Sequence, residues 1–101
     1  MYIAMNQFRV HPEKTADFER AWRERKSFLS EVPGFREFHL LRGPAEDGAQ
    51  LYASHTVWET EADFTSWTQS EAFRKAHAQG GKTVAFLVGP PRFVGWQAVD
   101  A

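Results

Sequence analysis

Two helix start signals, at Thr60 and Ser70, and a stop at Gly80-Gly81 cut one stretch of the chain into two short helices in tandem. Thr60 and Asp63 have the spacing of a capping box, in which hydroxyl and carboxylate satisfy amides of the first turn. Ser70 repeats the signal, and Glu71 suits the positive end of a helix dipole. The first helix ends near Trp67. The second ends near His77, with small Ala76 and Ala78 beside it, leaving room for a bulky group to approach the ring. The remainder of the chain must supply whatever these helices lie on.

It supplies strands. Tyr2 to Val10 alternates, with Ala4, Asn6, Phe8 and Val10 on one face and Ile3, Met5, Gln7 and Arg9 on the other. Asn6 therefore stands in an apolar row, where its amide either bonds to nearby backbone or faces a ligand. Pro12 ends this strand. From about Lys14 to Glu31 the period is helical, with Phe18, Ala21, Trp22, Arg25, Phe28, Leu29 and Val32 in one stripe. Arg25 interrupts it, either with its stem buried and its head in water or at a pocket rim against a carboxylate. After the Val32-Pro33-Gly34 turn come strands at Phe35–Arg42 and Leu51–Trp58, joined by a polar hairpin loop. Lys82 to Pro91 is a loop with an apolar run, Val84 to Val88, and Arg92 to Val99 is a last strand.

Strand, helix, strand, strand, helices, strand is an α+β, split βαβ plan: a four-stranded antiparallel sheet with helices on one face, in one domain over 1–101. The uncovered face, with Ile3, Met5, Leu40 or Leu41, and Val57 or Trp58, is too apolar to meet water. Two sheets face to face, as in a homodimer, would cover it. Nine Phe, four Trp and two Tyr are also more aromatic surface than one small core encloses, so an interface or a flat ligand is expected.

The absence of cysteine excludes disulfides, thiolate chemistry and Cys-ligated metal. A net charge of -1 gives no reason to expect nucleic acid or an anionic membrane. No apolar run is long enough to span a bilayer, the first residues turn polar too soon for a signal peptide, and a cytoplasmic protein is expected. No hydrolase triad, phosphate loop or dinucleotide fingerprint is present. His39 and His55 share strand parity but have no third ligand placed with them. His77 ends a helix, where an imidazole is either a C-terminal cap or a ligand of the kind haem iron takes.

In these segments the chain resembles the antibiotic biosynthesis monooxygenase superfamily, and within it the IsdG-type haem-degrading monooxygenases, most of all the rhizobial-type haem oxygenases. The likeness covers nearly the whole length. It is carried by Asn6 in Ile3-Ala4-Met5-Asn6-Gln7-Phe8, by Pro33-Gly34-Phe35, by Ser54-His55-Thr56-Val57-Trp58 and by the run from Phe64 to His77. The resemblance implies a ferredoxin-like subunit that pairs into a dimeric α+β barrel and binds haem, as substrate and cofactor, between sheet and helices. It implies that His77 ligates the iron, that Trp67 presses on the porphyrin, and that Asn6 lies on the distal side. It further implies O2 and an external electron donor, a reductase or small reductant, with a bilin-type product and free iron. Arg25, ahead of Arg23 and Lys26, is the expected partner of the propionates. Phe86, in the apolar loop, is expected either over the macrocycle or in dimer packing. A cofactor-independent monooxygenase of quinols or polycyclic aromatics, a non-catalytic haem carrier or sensor, and a plain dimeric stress protein are the alternatives.

Overall fold

The computed structural model describes residues 1–25 and 29–99, with side chains for all of these except 72, 76 and 78–82. Lys26, Phe28 and the side chains of Ala76 and Ala78 thus lie outside the described residues. The elements follow the order β1 (Tyr2–Val10), α1 (Thr15–Glu24), β2 (Phe35–Glu46), β3 (Ala49–Trp58), α2 (Glu61–Thr68), α3 (Glu71–Gly80) and β4 (Arg92–Gln97). Short 3-10 segments occupy Pro12–Lys14, Leu29–Glu31 and Gly81–Phe86. The sheet order is β2-β3-β1-β4, antiparallel throughout, which is the ferredoxin-like arrangement. Among the described residues no helix is long and apolar enough to cross a membrane.

Register assigns the faces. Ala4 pairs with Thr56 and Gly95, Asn6 with Ser54 and Phe93, and Phe8 with Tyr52. These residues share the face that the helices cover. There Tyr2, Ala4, Phe8 and Val10 are buried at every second position of β1, broken only by half-buried Asn6. The covered side holds two core clusters. One is built on Tyr2, Leu29, Trp58 and Trp67, the other on Phe8, Val10, Phe18 and Tyr52. The opposite face carries Ile3, Met5, Leu41, Val57, Val94 and Trp96, of which Leu41 is 41% and Trp96 52% exposed.

The helix expected from Lys14 to Glu31 is shorter than its apolar stripe. α1 ends at Glu24, and Arg25 is extended, at φ -71° and ψ 130°. Leu29 of that stripe is nevertheless buried, because the 3-10 turn at Leu29–Glu31 brings it into the core, 6% exposed. Tyr52 and Arg42 both donate to the Glu19 carboxylate, anchoring α1 on the sheet. Those two hydrogen bonds, Tyr52 first, hold the Glu19 carboxyl below the usual carboxylate range. β2 runs four residues beyond its expected end, so the hairpin closes at Asp47-Gly48, where both backbones have positive φ. β4 stops at Gln97, short of Val99.

Candidate functional site

Between the sheet and the helices lies a cavity of about 510 Å³. Its floor is the covered face of the sheet: Ala4 and Asn6 from β1, Ser54 and Thr56 from β3, Phe38 from β2 and Phe93 from β4. Its other walls are Trp22, Arg25 and Leu29, then Phe64, Trp67 and Thr68 of α2, and Phe73 and His77 of α3. Asn6, Arg25, Trp67 and His77 are therefore brought together. Phe86 is not with them: it packs against the cluster of Phe8, Val10, Phe18 and Tyr52 and does not line the cavity. The loop is held to the far end of β1, where His11 N–H donates to the Phe86 carbonyl at 2.9 Å and Leu87 pairs with Val10. Phe86, Leu87 and Val88 of its greasy run are half-buried against the core side, while Val84, 65% exposed, and Ala85 stand out of it. Arg23 also lies away from the cavity, on the α1 surface near Glu19.

The caps read from the sequence set the geometry of Trp67 and His77. Thr60 Oγ1 accepts from Asp63 N–H at 3.1 Å and starts α2. Ser70 Oγ donates to the Trp67 carbonyl at 2.6 Å and accepts from Phe73 N–H at 3.1 Å. One hydroxyl thus ties the end of α2 to the start of α3. Rings continue the link: Trp58 lies 5.4 Å from Trp67, Trp67 meets Phe73 edge-on at 4.8 Å, and Phe73 stacks on His77 at 3.8 Å.

His77 Nδ1 lies 3.0 Å from the Phe73 carbonyl oxygen. A carbonyl only accepts, so Nδ1 carries the proton in this contact, and in the neutral ring the Nε2 lone pair is free. That is the tautomer a metal-ligating histidine needs, oriented by a backbone acceptor. Burial pushes the His77 pKa below its ordinary value; the Phe73 carbonyl opposes this and the Arg25 charge adds to it. Neutral imidazole is therefore favoured.

The polar groups of the cavity are poorly satisfied from within. Trp22 Nε1, Arg25 Nε and Trp67 Nε1 are buried and lack a partner among the described residues. The Arg25 guanidinium lies over the Trp22 ring, 4.6 Å from its centroid, and burial lowers its pKa. Such groups cost free energy unless something in the cavity meets them. Flat aromatic walls, one half-buried cation and one free imidazole nitrogen suit a planar aromatic molecule bearing carboxylates and a metal. His39 and His55 face the other way, on the uncovered face, with ring centroids 6.2 Å apart. Among the described residues no group of three or more His, Asp or Glu could hold a metal ion by itself.

The fold and cavity define a small α+β domain with an aromatic cleft between sheet and helices. Residues 1–79 match the model of the antibiotic biosynthesis monooxygenase family, and the chain belongs to that family. A "Heme oxygenase (staphylobilin-producing)" of Staphylococcus haemolyticus is 55% identical over 55 residues, 54% of this chain and 53% of that protein. A "Heme-degrading monooxygenase" of Shouchella clausii is 38% identical over 56 residues, 55% of this chain and 52% of that one. The chain therefore spans about half the length of the curated relatives it matches. Among solved structures, MhuD of Mycobacterium tuberculosis, a heme-degrader with two hemes bound in its active site, superposes with TM-score 0.75 at 24% identity, over 100% of this chain and 98% of that one. SnoaB of Streptomyces nogalater, a cofactor-independent oxygenase, superposes with TM-score 0.71 at 22% identity, over 99% and 94%. These likenesses establish the shared fold.

Ser54, Thr56, Phe38, Phe64, Phe73 and Phe93 line the cavity but were not named as site residues from the sequence. Parity relative to Asn6 along β1 carries no information about which residues of β3 and β4 stand opposite it. Only the register does.

Proposed function

We propose that the protein binds haem in this cavity and degrades it oxidatively, releasing iron and a bilin-type product. The observation that carries the reading is His77, with Nδ1 fixed on the Phe73 carbonyl and Nε2 left free beside an aromatic cavity. The residues fit the group: Nε2 would ligate the iron, Arg25 would meet a propionate, and the aromatic walls would enclose the macrocycle. Haem, when bound, supplies the site of oxygen activation and is itself the molecule consumed. Dioxygen and electrons come from outside, the latter from a reductase or small reductant; the chain has no cysteine, and among the described residues no group of three or more His, Asp or Glu could hold a metal ion. Trp67 sets the shape of the cavity against the ring, held from behind by Trp58 and Phe73. Asn6 offers an amide on the sheet side, and a donor aimed at developing negative charge lowers a barrier. The relatives named for heme degradation support the same reading.

Haemin titration followed by ascorbate tests it. A saturable Soret band at one haem per subunit, then its decay with chelatable iron, is expected. A Soret band that survives reductant and oxygen would mean a carrier or sensor. Absence of a Soret shift would sink the haem reading and leave cofactor-independent oxygenation, the activity named for SnoaB, here of a quinol or polycyclic aromatic.

The apolar outer face supports a symmetric dimer, a homodimer closed sheet to sheet, with Trp96 and Leu41 in its interface. Sedimentation of the native chain should give twice the subunit mass of 11.6 kDa. Trp96→Glu, which places a charge on that face, should give a monomer. A native monomer at micromolar concentration would refute the pairing.

A further inference from the structure

Two stacked pairs of rings bound the cavity, one at each edge of the sheet. On β2, Phe38 stacks on Trp22 of α1, with centroids 5.8 Å apart and planes at 17°. On β4, Phe93 stacks on Phe64 of α2, at 5.7 Å and 6°. β2 and β4 are the outer strands of the order β2-β3-β1-β4, so they run about 14 Å apart across the cavity floor.

The two ends differ in charge. Arg25 lies over Trp22, 4.6 Å from the ring centroid. The end made by Phe64 and Phe93 is apolar. A flat molecule with carboxylates on one edge and hydrocarbon on the other is therefore oriented along the floor. Its carboxylates belong with Arg25, and its apolar edge with the second pair of rings.

Phe93 is the part of that apolar end that the core does not require. Phe64 packs against the cluster of Tyr2, Trp58 and Trp67, whereas Phe93 is in neither cluster and is 49% exposed. A phenylalanine left half in water gains only part of what burial offers, so packing alone does not account for it. Two residues on, the same face of β4 has Gly95, where an added Cβ would collide with the Tyr2 hydroxyl. Phe93 thus supplies the bulk at this edge of the floor, and the register sets it directly opposite Asn6. How far a ligand slides toward β4 decides which of its atoms stands beside Asn6, and Phe93 is the stop.

We propose that Phe93 is a specificity-determining residue: stacked on Phe64, it meets the edge of the macrocycle remote from the propionates, and so sets the in-plane seat of the haem and the bilin isomer released. This rests on the haem reading and deepens it by naming the residue that selects the product. Phe93 makes and breaks no bond, and its part is contact alone.

The test is proton NMR of the ferric haem complex, whose shifted haem methyl signals count the seats that the macrocycle takes. Native chain, Phe93→Ala and Phe93→Tyr are compared. The native complex should give one dominant set of methyl signals. Phe93→Ala should raise the minor set about three- to tenfold, the equivalent of one lost aromatic contact. Phe93→Tyr keeps the ring and should stay within about twofold of native. The bilin isomers formed with ascorbate and oxygen, separated by chromatography, should shift in the same proportion. A Phe93→Ala complex with the native methyl pattern overturns the proposal, and so does a Phe93→Tyr complex as mixed as the alanine one. A native chain that gives no Soret band with haemin overturns the haem reading itself, so the two failures are distinguishable.

Discussion

His77→Ala is expected to abolish haem degradation and to weaken haemin binding about 100-fold or more, the scale on which metal sites respond to loss of a ligand or its support. None of the other three histidines lines the cavity, and His39 and His55 lie on the opposite sheet face, so no imidazole can substitute. Added imidazole should restore a Soret band to the variant by filling the vacated space. The pH profile carries the same signature. Burial, with Arg25, holds the His77 pKa below its ordinary value against the pull of the Phe73 carbonyl. The ring therefore stays neutral, and able to ligate, to a lower pH than an ordinary histidine, whose pKa is about 6.5. Since the unfolded chain takes up the proton first, the free protein keeps the stability linked to neutral His77 above that pH and loses it as pH falls through and below it. Haemin titrations of both chains across this range check the claim. An alanine variant with native affinity and spectrum would remove His77 from the iron.

What could be read from the sequence was local chemistry. Thr60 with Asp63, and Ser70, are start signals because a hydroxyl near a first turn meets its amides, and both make the expected bonds. Asn6 stood out because it breaks an apolar alternation, and it is the half-buried position between buried Ala4 and Phe8. What could not be read depends on pairing across the chain. Ser54 acquires interest only when β3 is laid against β1, and its own strand shows nothing unusual. The end of α1 was missed because Leu29 remains buried through a 3-10 turn, so the apolar stripe continues after the helix has stopped. Phe86, expected over the macrocycle or in dimer packing, packs on the core for a related reason. An apolar loop residue has two possible neighbours, ligand or core, and composition does not separate them. Backbone bonds from the loop to His11 and Arg9 decide for the core.

Gly34→Ala is expected to destabilise the fold by about 2–4 kcal/mol, two separate costs adding. The first is conformational: Gly34 has φ +83°, where a side chain is strained. The second is steric. A Cβ at Gly34 would lie 2.3 Å from both Cγ and Oδ2 of Asp63, the carboxylate of the α2 capping box. The glycine of the Pro33-Gly34-Phe35 turn is thus the seat on which the start of α2 rests, while the Gly34 carbonyl accepts from Glu59 N–H at 2.8 Å. A shift there passes along α2 to Trp67 and through Ser70 to His77, so haem affinity should fall with stability. A double-mutant cycle separates the costs. Asp63→Ala loses about 1 kcal/mol of capping. In that background the Cβ of residue 63, 2.5 Å from the added Cβ, still has to move, so Gly34→Ala should keep the backbone cost of about 1 kcal/mol and part of the steric cost, giving a coupling of about 1 kcal/mol from the carboxylate alone. Urea denaturation of the four chains measures it. Strict additivity would mean that the Asp63 carboxylate does not press on position 34, and the turn would then seat the start of α2 through backbone and Cβ alone.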